Sequence, residues 1–214
     1  MPISRDQLLL YAVTDRGYTG KQSLYEQIRA ALDGGVTCVQ LREKGMEKSA
    51  LIEEAIRIRE LCRRYHVPLL INDHTDVALQ SGADGVHVGL QDQPISEIRR
   101  MAGSNFIIGA TAKTAEQAQK AEAAGADYLG VGAVFPSPTK KNAVRITYGQ
   151  LKEICSCVSI PAVAIGGISL ANMSEIAGCG ISGIAVASGI FSANRIKDTA
   201  EQFRQKAARI VSLP

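Results

Sequence analysis

Short apolar runs alternate with longer amphipathic stretches along this chain. Residues 8–13, 38–41, 68–71, 85–88, 106–110, 128–131, 162–165 and 183–187 are nearly continuous in apolar or small side chains and too short for helices. Such runs predict parallel strands covered on both faces, where a residue is buried whichever way it points. Between them, residues 23–32, 49–65, 115–124, 148–154, 171–177 and 193–211 carry apolar side chains three and four apart. That spacing puts one apolar stripe on a helix and predicts six helices, each with one buried face. Residues 74–79 and 95–101 predict two shorter ones.

The junctions repeat. Asp33-Gly34-Gly35-Val36, Ser81-Gly82-Ala83-Asp84-Gly85, Ala124-Gly125-Ala126-Asp127 and Cys179-Gly180-Ile181-Ser182-Gly183 each follow a helix and precede a strand. Glycine ends a helix in a left-handed conformation at little cost. Eight strand–helix units in 214 residues predict an α/β protein, a closed (β/α)8 TIM barrel spanning residues 1–214 as a single domain. An open doubly wound sheet is disfavoured, because no Gly-x-Gly-x-x-Gly follows the first strand.

Composition narrows the function classes. The chain is 46% hydrophobic and 21% charged, with a net charge of +3. This is too weak a bias to suggest nucleic acid or a membrane surface as partner. No apolar stretch approaches the roughly 20 residues of a spanning helix. The N-terminal residues lack the charged-then-apolar layout of a signal peptide, so a cytoplasmic location is expected. The five cysteines, an odd number with no zinc-site spacing, predict free thiols. The expected partners are small molecules, and the sequence is compatible with a homo-oligomer.

In a barrel, polar residues just past a strand sit at the reactive C-terminal face. After the second strand, Gln40, Arg42 and Lys44 share one side of the chain, with Leu41 on the other. Two cations and an amide suit a polyanion such as a diphosphate, although a solvated charged loop would look the same. Asp73 follows the third strand and Asp92 the fourth. Two carboxylates on neighbouring strand ends suit Mg2+, which takes one or two carboxylates plus substrate phosphates. The competing assignment makes each aspartate a helix cap. After the sixth strand, Ser137, Thr139 and Lys140 stand among prolines as a candidate anion clamp. Gly167, Ala187 and Ser188 follow strands seven and eight, where barrels recurrently bind phosphate. His87 lies within a strand and reads as a buried, hydrogen-bonded histidine.

Tyr11-Ala12-Val13-Thr14-Asp15, Gln40–Lys44, Ile71-Asn72-Asp73, the segment 83–89, the loop 136–141 and the segment 163–168 together resemble the thiamine-phosphate synthase family, in family order over nearly the whole chain. The resemblance implies a transferase of thiamine biosynthesis. It would join the diphosphate of hydroxymethylpyrimidine to a thiazole phosphate, releasing diphosphate in a magnesium-dependent, dissociative substitution. It implies that Gln40, Arg42, Lys44, Asn72, Thr111 and Lys140 hold the pyrimidine diphosphate. Leu41 and Glu43 are included in the same substrate-binding segment. It further implies that Asp73 and Asp92 bind Mg2+, that Ser137 and Thr139 contact the thiazole phosphate, and that Gly167, Ala187 and Ser188 lie at its phosphate end. Arg42, Lys44, Thr111 and Lys140 would be catalytic, stabilising charge on the leaving group.

The chain departs from the family pattern after strand five. Thr111 stands where Ser is usual and Lys113 where His is usual. Ser137 replaces a common Thr, and Leu90 precedes Gln91 in the segment leading to Asp92. A thiazole tautomerase relative is the nearer alternative, but it depends on the missing histidine and generally lacks the Asn-Asp pair. A non-catalytic phosphate-binding barrel acting as a sensor is the other. Intact Asp73, Asp92 and Lys140 weigh against it.

Overall fold

A computed structural model describes residues 3–20, 22–136 and 144–211. Eight parallel strands close into a barrel in sequence order, β1 pairing with both β2 and β8. They are β1 (Leu10–Val13), β2 (Cys38–Leu41), β3 (Leu69–Asn72), β4 (Gly85–Val88), β5 (Ile107–Ala112), β6 (Tyr128–Gly132), β7 (Ala162–Ile165) and β8 (Gly183–Val186). The outer layer contains α1 (Leu24–Asp33), α2 (Lys48–Arg64), α3 (Thr75–Ser81), α4 (Ile95–Ala102), α5 (Ala115–Ala123), α6 (Tyr148–Ser156), α7 (Ser188–Phe191) and α8 (Ile196–Val211). Among the described residues no helix is long and apolar enough to cross a membrane, and the cysteines are free thiols.

Each strand is buried on both faces, which explains the continuous apolar runs. Outward residues such as Leu10, Ala12, Leu69 and Ile71 pack under the helices in one large core. Inward residues, including Tyr11, Val13, Cys38, Leu70 and Tyr128, fill the barrel itself. The repeated junctions have a specific bond behind them. Asp84, before β4, accepts the Leu69 backbone N–H at the start of β3 at 2.8 Å. Asp127, before β6, accepts that of Ile108 in β5 at 2.7 Å and pairs with Arg99 at 2.7 Å. Each carboxylate thus satisfies a strand-edge N–H that the barrel leaves unpaired. Gly82, at φ 67°, ends α3 in the left-handed conformation the sequence predicts.

Three expectations shift. The apolar run from residue 8 is not all strand, because Asp6–Leu8 forms a 3-10 turn. Leu8 remains fully buried because it plugs the lower end of the barrel interior. Residues 171–177 hold only a 3-10 turn, Met173–Ile176. Ser169 and Asn172 exchange side-chain-to-backbone bonds just before it, and such local bonds compete with a regular helix. The last helix begins at Ile196 rather than 193, leaving room for the short α7, which the periodicity did not foretell.

The barrel interior holds two tyrosines because neighbouring strands carry glycine. A Cβ at Gly109 would fall inside the Tyr128 ring, and one at Gly130 would lie 2.9 Å from His87 Cε1. Gly109→Ala is therefore expected to lower unfolding stability by about 1–3 kcal/mol through overpacking. Gly149 lies in α6 with its nearest would-be neighbour, Thr147 Oγ1, at 3.8 Å. Gly149→Ala should raise stability by about 0.5–1 kcal/mol from helix propensity alone. Urea unfolding of both variants checks the pair; a harmless Gly109→Ala would contradict the packing argument.

Candidate active site

A cleft of about 520 Å³ opens at the C-terminal ends of the strands. The inward-facing positions of the barrel continue upward into its floor and walls. Gln40 comes from β2, Asn72 from β3, His87 from β4 and Thr111 from β5. Arg42, Lys44, Asp73, Asp92 and Lys113 project from the segments just beyond those strands.

The basic triplet converges as its spacing suggests: Gln40, Arg42 and Lys44 all line the cleft. Leu41 and Glu43, grouped with them as substrate-binding, do not. Leu41 is buried in the core between barrel and helices. The Glu43 side chain is wholly buried and accepts from Thr14 Oγ1 at 3.1 Å and Arg16 Nε at 2.6 Å. Thr14 Oγ1 in turn accepts the Arg42 backbone N–H at 2.8 Å. Glu43 thus fastens the exit of β1 to the exit of β2 and holds Arg42 and Lys44 in place from behind. A buried carboxylate needs such partners, and they occupy the side that a ligand would otherwise meet.

Asp73 and Asp92 lie beside each other. The Asp73 backbone has φ 62°, unusual outside glycine, and its N–H donates to the His87 carbonyl at 2.9 Å. That bond ties the end of β3 to β4. Asn72 Nδ2 donates to Asp73 Oδ2 at 2.6 Å. Asp92 Oδ2 accepts the Gly89 N–H at 2.6 Å, which folds the loop after β4 back over the cleft. Burial first, and then the adjacent Asp92 carboxylate, push the Asp73 carboxyl above the usual range; the Asn72 amide works against the shift. Neither aspartate is an N-cap: His74 and Pro94 hold those positions, and neither makes a side-chain cap. The helix-cap alternative therefore falls away, and what stands is a like-charge pair facing a cavity. Among the described residues no cluster of three or more His, Cys, Asp or Glu side chains could hold a metal. The donor set fits a hard cation that takes two carboxylates and completes its shell with water and substrate oxygens, the habit of Mg2+.

His87 is buried and structural, as its place in a strand suggests. Burial holds its imidazole down at about 4, opposed by the negative charge of Asp92, so the ring is neutral near pH 7. Its Nδ1 lies 2.9 Å from Tyr128 Oη and its Nε2 3.2 Å from Thr111 Oγ1. The sequence reading missed Tyr11 and Tyr128, which stand behind the floor of the cleft. The signal was there in the two-residue alternation from Tyr11 to Val13 and in the glycines at 109 and 130. Lys113 lines the cleft, while its backbone N–H donates to Gln117 Oε1 at 2.9 Å.

On the far side, Gly166, Gly167, Ala187 and Ser188 line the cleft, and α7 starts at Ser188. A side chain at Gly167, at φ 64°, would collide with the Pro136 carbonyl. Glycine there brings the two backbones together. Ser137, Thr139 and Lys140 lie outside the described residues.

Known proteins resemble this chain in sequence and fold. The family model described as thiamine monophosphate synthase matches residues 10–190. A thiamine-phosphate synthase of Clostridium acetobutylicum is 45% identical over 191 residues, covering 89% of this chain and 90% of that protein. A protein of Streptococcus pneumoniae named thiamine-phosphate synthase 2 is 40% identical over 210 residues, covering 98% of this chain and all (100%) of its own length. The solved structure of a thiamine phosphate pyrophosphorylase from Pyrococcus furiosus superimposes with a TM-score of 0.90 at 38% identity, covering 97% of this chain and 99% of that one. With a family model spanning most of its length and relatives at these identities over nearly all of it, the chain belongs to the thiamine monophosphate synthase family.

Proposed function

We propose that the protein joins hydroxymethylpyrimidine diphosphate to hydroxyethylthiazole phosphate, forming thiamine phosphate and releasing diphosphate, as a magnesium-dependent transferase. The observation that carries this reading is the Asp73–Asp92 pair sharing one cleft with Arg42 and Lys44. Adjacent carboxylates alone would repel a polyanion, and the cations alone would need no carboxylates. Together they are what a metal-bound diphosphate requires.

Asp73 and Asp92 would hold the magnesium ion, which would supply charge neutralisation for the diphosphate. Gln40, Arg42, Lys44, Asn72, Thr111 and Lys140 hold the pyrimidine diphosphate. As the bond from the pyrimidine methylene to the diphosphate oxygen breaks, negative charge grows on the leaving group. Arg42, Lys44, Lys140 and the Thr111 hydroxyl meet that charge, and they bind it more tightly in the transition state than in the substrate. Ser137 and Thr139 hold the thiazole phosphate, with Gly167, Ala187 and Ser188 at its phosphate end. This orients the thiazole nitrogen to attack the pyrimidine methylene carbon, left cationic as its bond to diphosphate breaks, which turns a bimolecular encounter into a local step. The thiazole tautomerase alternative finds little support, because Lys113 stands where its histidine would be and His87 is bonded within the barrel. The chain acts as one catalytic domain, in the cytoplasm, on small molecules.

Two substitutions test the assignments. Asp92→Asn keeps an oxygen acceptor for the Gly89 N–H and removes one charge of the pair. Magnesium-dependent formation of thiamine phosphate should fall by at least about 100-fold, because losing one carboxylate ligand weakens the cation that would neutralise the developing anion. Without metal the variant should melt higher than the parent, because Asp73 then ionises without a like charge beside it. The same raised carboxyl makes the metal-free parent lose stability as pH rises through the Asp73 pKa, and magnesium should restore it. Unchanged turnover in Asp92→Asn would remove it from the metal site. Ser137→Ala should raise KM for the thiazole phosphate by about 5- to 10-fold, the worth of one hydrogen bond to an anion, with a smaller change for the pyrimidine diphosphate. Steady-state kinetics with each substrate varied in turn decides this, and equal losses would contradict the assignment.

A further inference from the structure

Five side chains inside the barrel form an unbroken line of hydrogen bonds that ends at the cleft. Gln40 Nε2 lies 2.7 Å from Tyr11 Oη, and Tyr11 Oη lies 2.8 Å from Tyr128 Oη. Tyr128 Oη lies 2.9 Å from His87 Nδ1, and His87 Nε2 lies 3.2 Å from Thr111 Oγ1. The two tyrosines are buried away from water, and Gln40, His87 and Thr111 border the cleft.

With the Gln40 amide nitrogen toward Tyr11, the direction of the whole line follows. An amide nitrogen donates and cannot accept. Tyr11 therefore accepts from Gln40. Its own single proton has no other acceptor in reach among the described residues than Tyr128 Oη. Tyr128 accepts that proton's bond, so its own proton goes to His87 Nδ1. A histidine whose Nδ1 accepts carries its proton on Nε2. Nε2–H then donates to Thr111 Oγ1. Thr111 Oγ1 has no further hydrogen bond among the described residues, so its hydroxyl proton is left to point into the cleft.

The geometry points to Tyr11, Tyr128 and His87 as positioning residues that fill one lone pair of the Thr111 hydroxyl from behind, aim its proton into the cleft and so favour an anionic oxygen there. The inference rests on the proposed function only in identifying that oxygen as one of the leaving diphosphate. A hydroxyl free to rotate can accept as readily as donate. One already accepting from Nε2–H from behind is turned the other way. Its bond strengthens as negative charge develops on the ligand, so the chain works on release of the diphosphate more than on its first capture. It also gives the threonine a physical use in this chain: Cγ2 leaves the hydroxyl fewer rotamers than serine would have, and the bond from His87 selects among them.

The tautomer of His87 is read directly by long-range 15N–1H correlation spectra of the unaltered protein, with the signal assigned by its loss in His87→Gln. The expected result is a neutral ring with the proton on Nε2 and a bare Nδ1. A ring protonated on Nδ1 overturns the inference, because the line would then run the other way. The positioning role is read by a double-mutant cycle on binding of inorganic diphosphate with magnesium. Tyr128→Phe should weaken binding by about 3- to 10-fold, the usual worth of one hydrogen bond. In a Thr111→Val background the same change should have no further effect, and in Thr111→Ser it should keep most of its effect. No effect of Tyr128→Phe, or an equal effect with and without the Thr111 hydroxyl, overturns the inference. If Tyr128→Phe does not fold, the tautomer measurement still decides. Thiamine phosphate formation by the unaltered protein is scored separately, so failure of the proposed reaction is not mistaken for failure of the hydrogen-bond line.

Discussion

A closed barrel must fill its own interior, and here it does so with large polar-tipped rings on some strands set against glycine on their neighbours. Tyr128 of β6 occupies the space that a side chain at Gly109 of β5 would need, and His87 of β4 that of Gly130 of β6. The rings of Tyr11 and Tyr128 meet edge to face, their centroids 5.9 Å apart. Their hydroxyls are thereby brought to the axis, where each must find a partner or cost the molecule the desolvation of a buried polar group. Gln40 and His87 provide those partners, and with Thr111, bonded to His87, they form the floor of the cleft. Filling the interior and building the site are one problem, solved by the same residues.

Above that floor the electrostatics are held under tension. Asp73 and Asp92 sit side by side, one on a left-handed residue tied to β4 and the other on a loop closed by its own carboxylate. Arg42 and Lys44 are held by a buried carboxylate, Glu43, that stays out of the cleft. Among the described residues lining the cleft, Arg42, Lys44 and Lys113 face Asp73 and Asp92, an excess of one positive charge. A diphosphate carries more negative charge than that. A divalent cation held by the carboxylates, as proposed, would make up the difference and would also offset the repulsion that raises the Asp73 carboxyl.

The strands were legible because burial on both faces leaves few polar residues within them, Gln40 and His87 among the expected runs, and seven of the eight runs start within one residue of the observed strands. The exception was residue 8, where Leu8 is buried for a different reason, as a plug below the barrel. Single-turn elements were not legible. Ser188–Phe191 makes a single helical turn with too few residues to show a period, and the turn at Met173–Ile176 is governed by Ser169 and Asn172 rather than by an apolar stripe. Within the site, two-residue alternation brought Gln40, Arg42 and Lys44 together correctly. It also explains why Leu41 and Glu43 turn away, since they occupy the opposite parity. What Glu43 holds, and how Tyr11 reaches Tyr128 on the far side of the barrel, depend on closure, a long-range property that no local pattern records.

The central claim is that this cleft uses magnesium to make thiamine phosphate. The most direct measurement combines the purified protein, hydroxymethylpyrimidine diphosphate, hydroxyethylthiazole phosphate and magnesium, and follows the products by mass spectrometry with and without EDTA. The account predicts thiamine phosphate and free diphosphate in equal amounts, both lost with EDTA and restored by added magnesium. A folded protein that forms no thiamine phosphate, or forms it equally well with EDTA present, would contradict it.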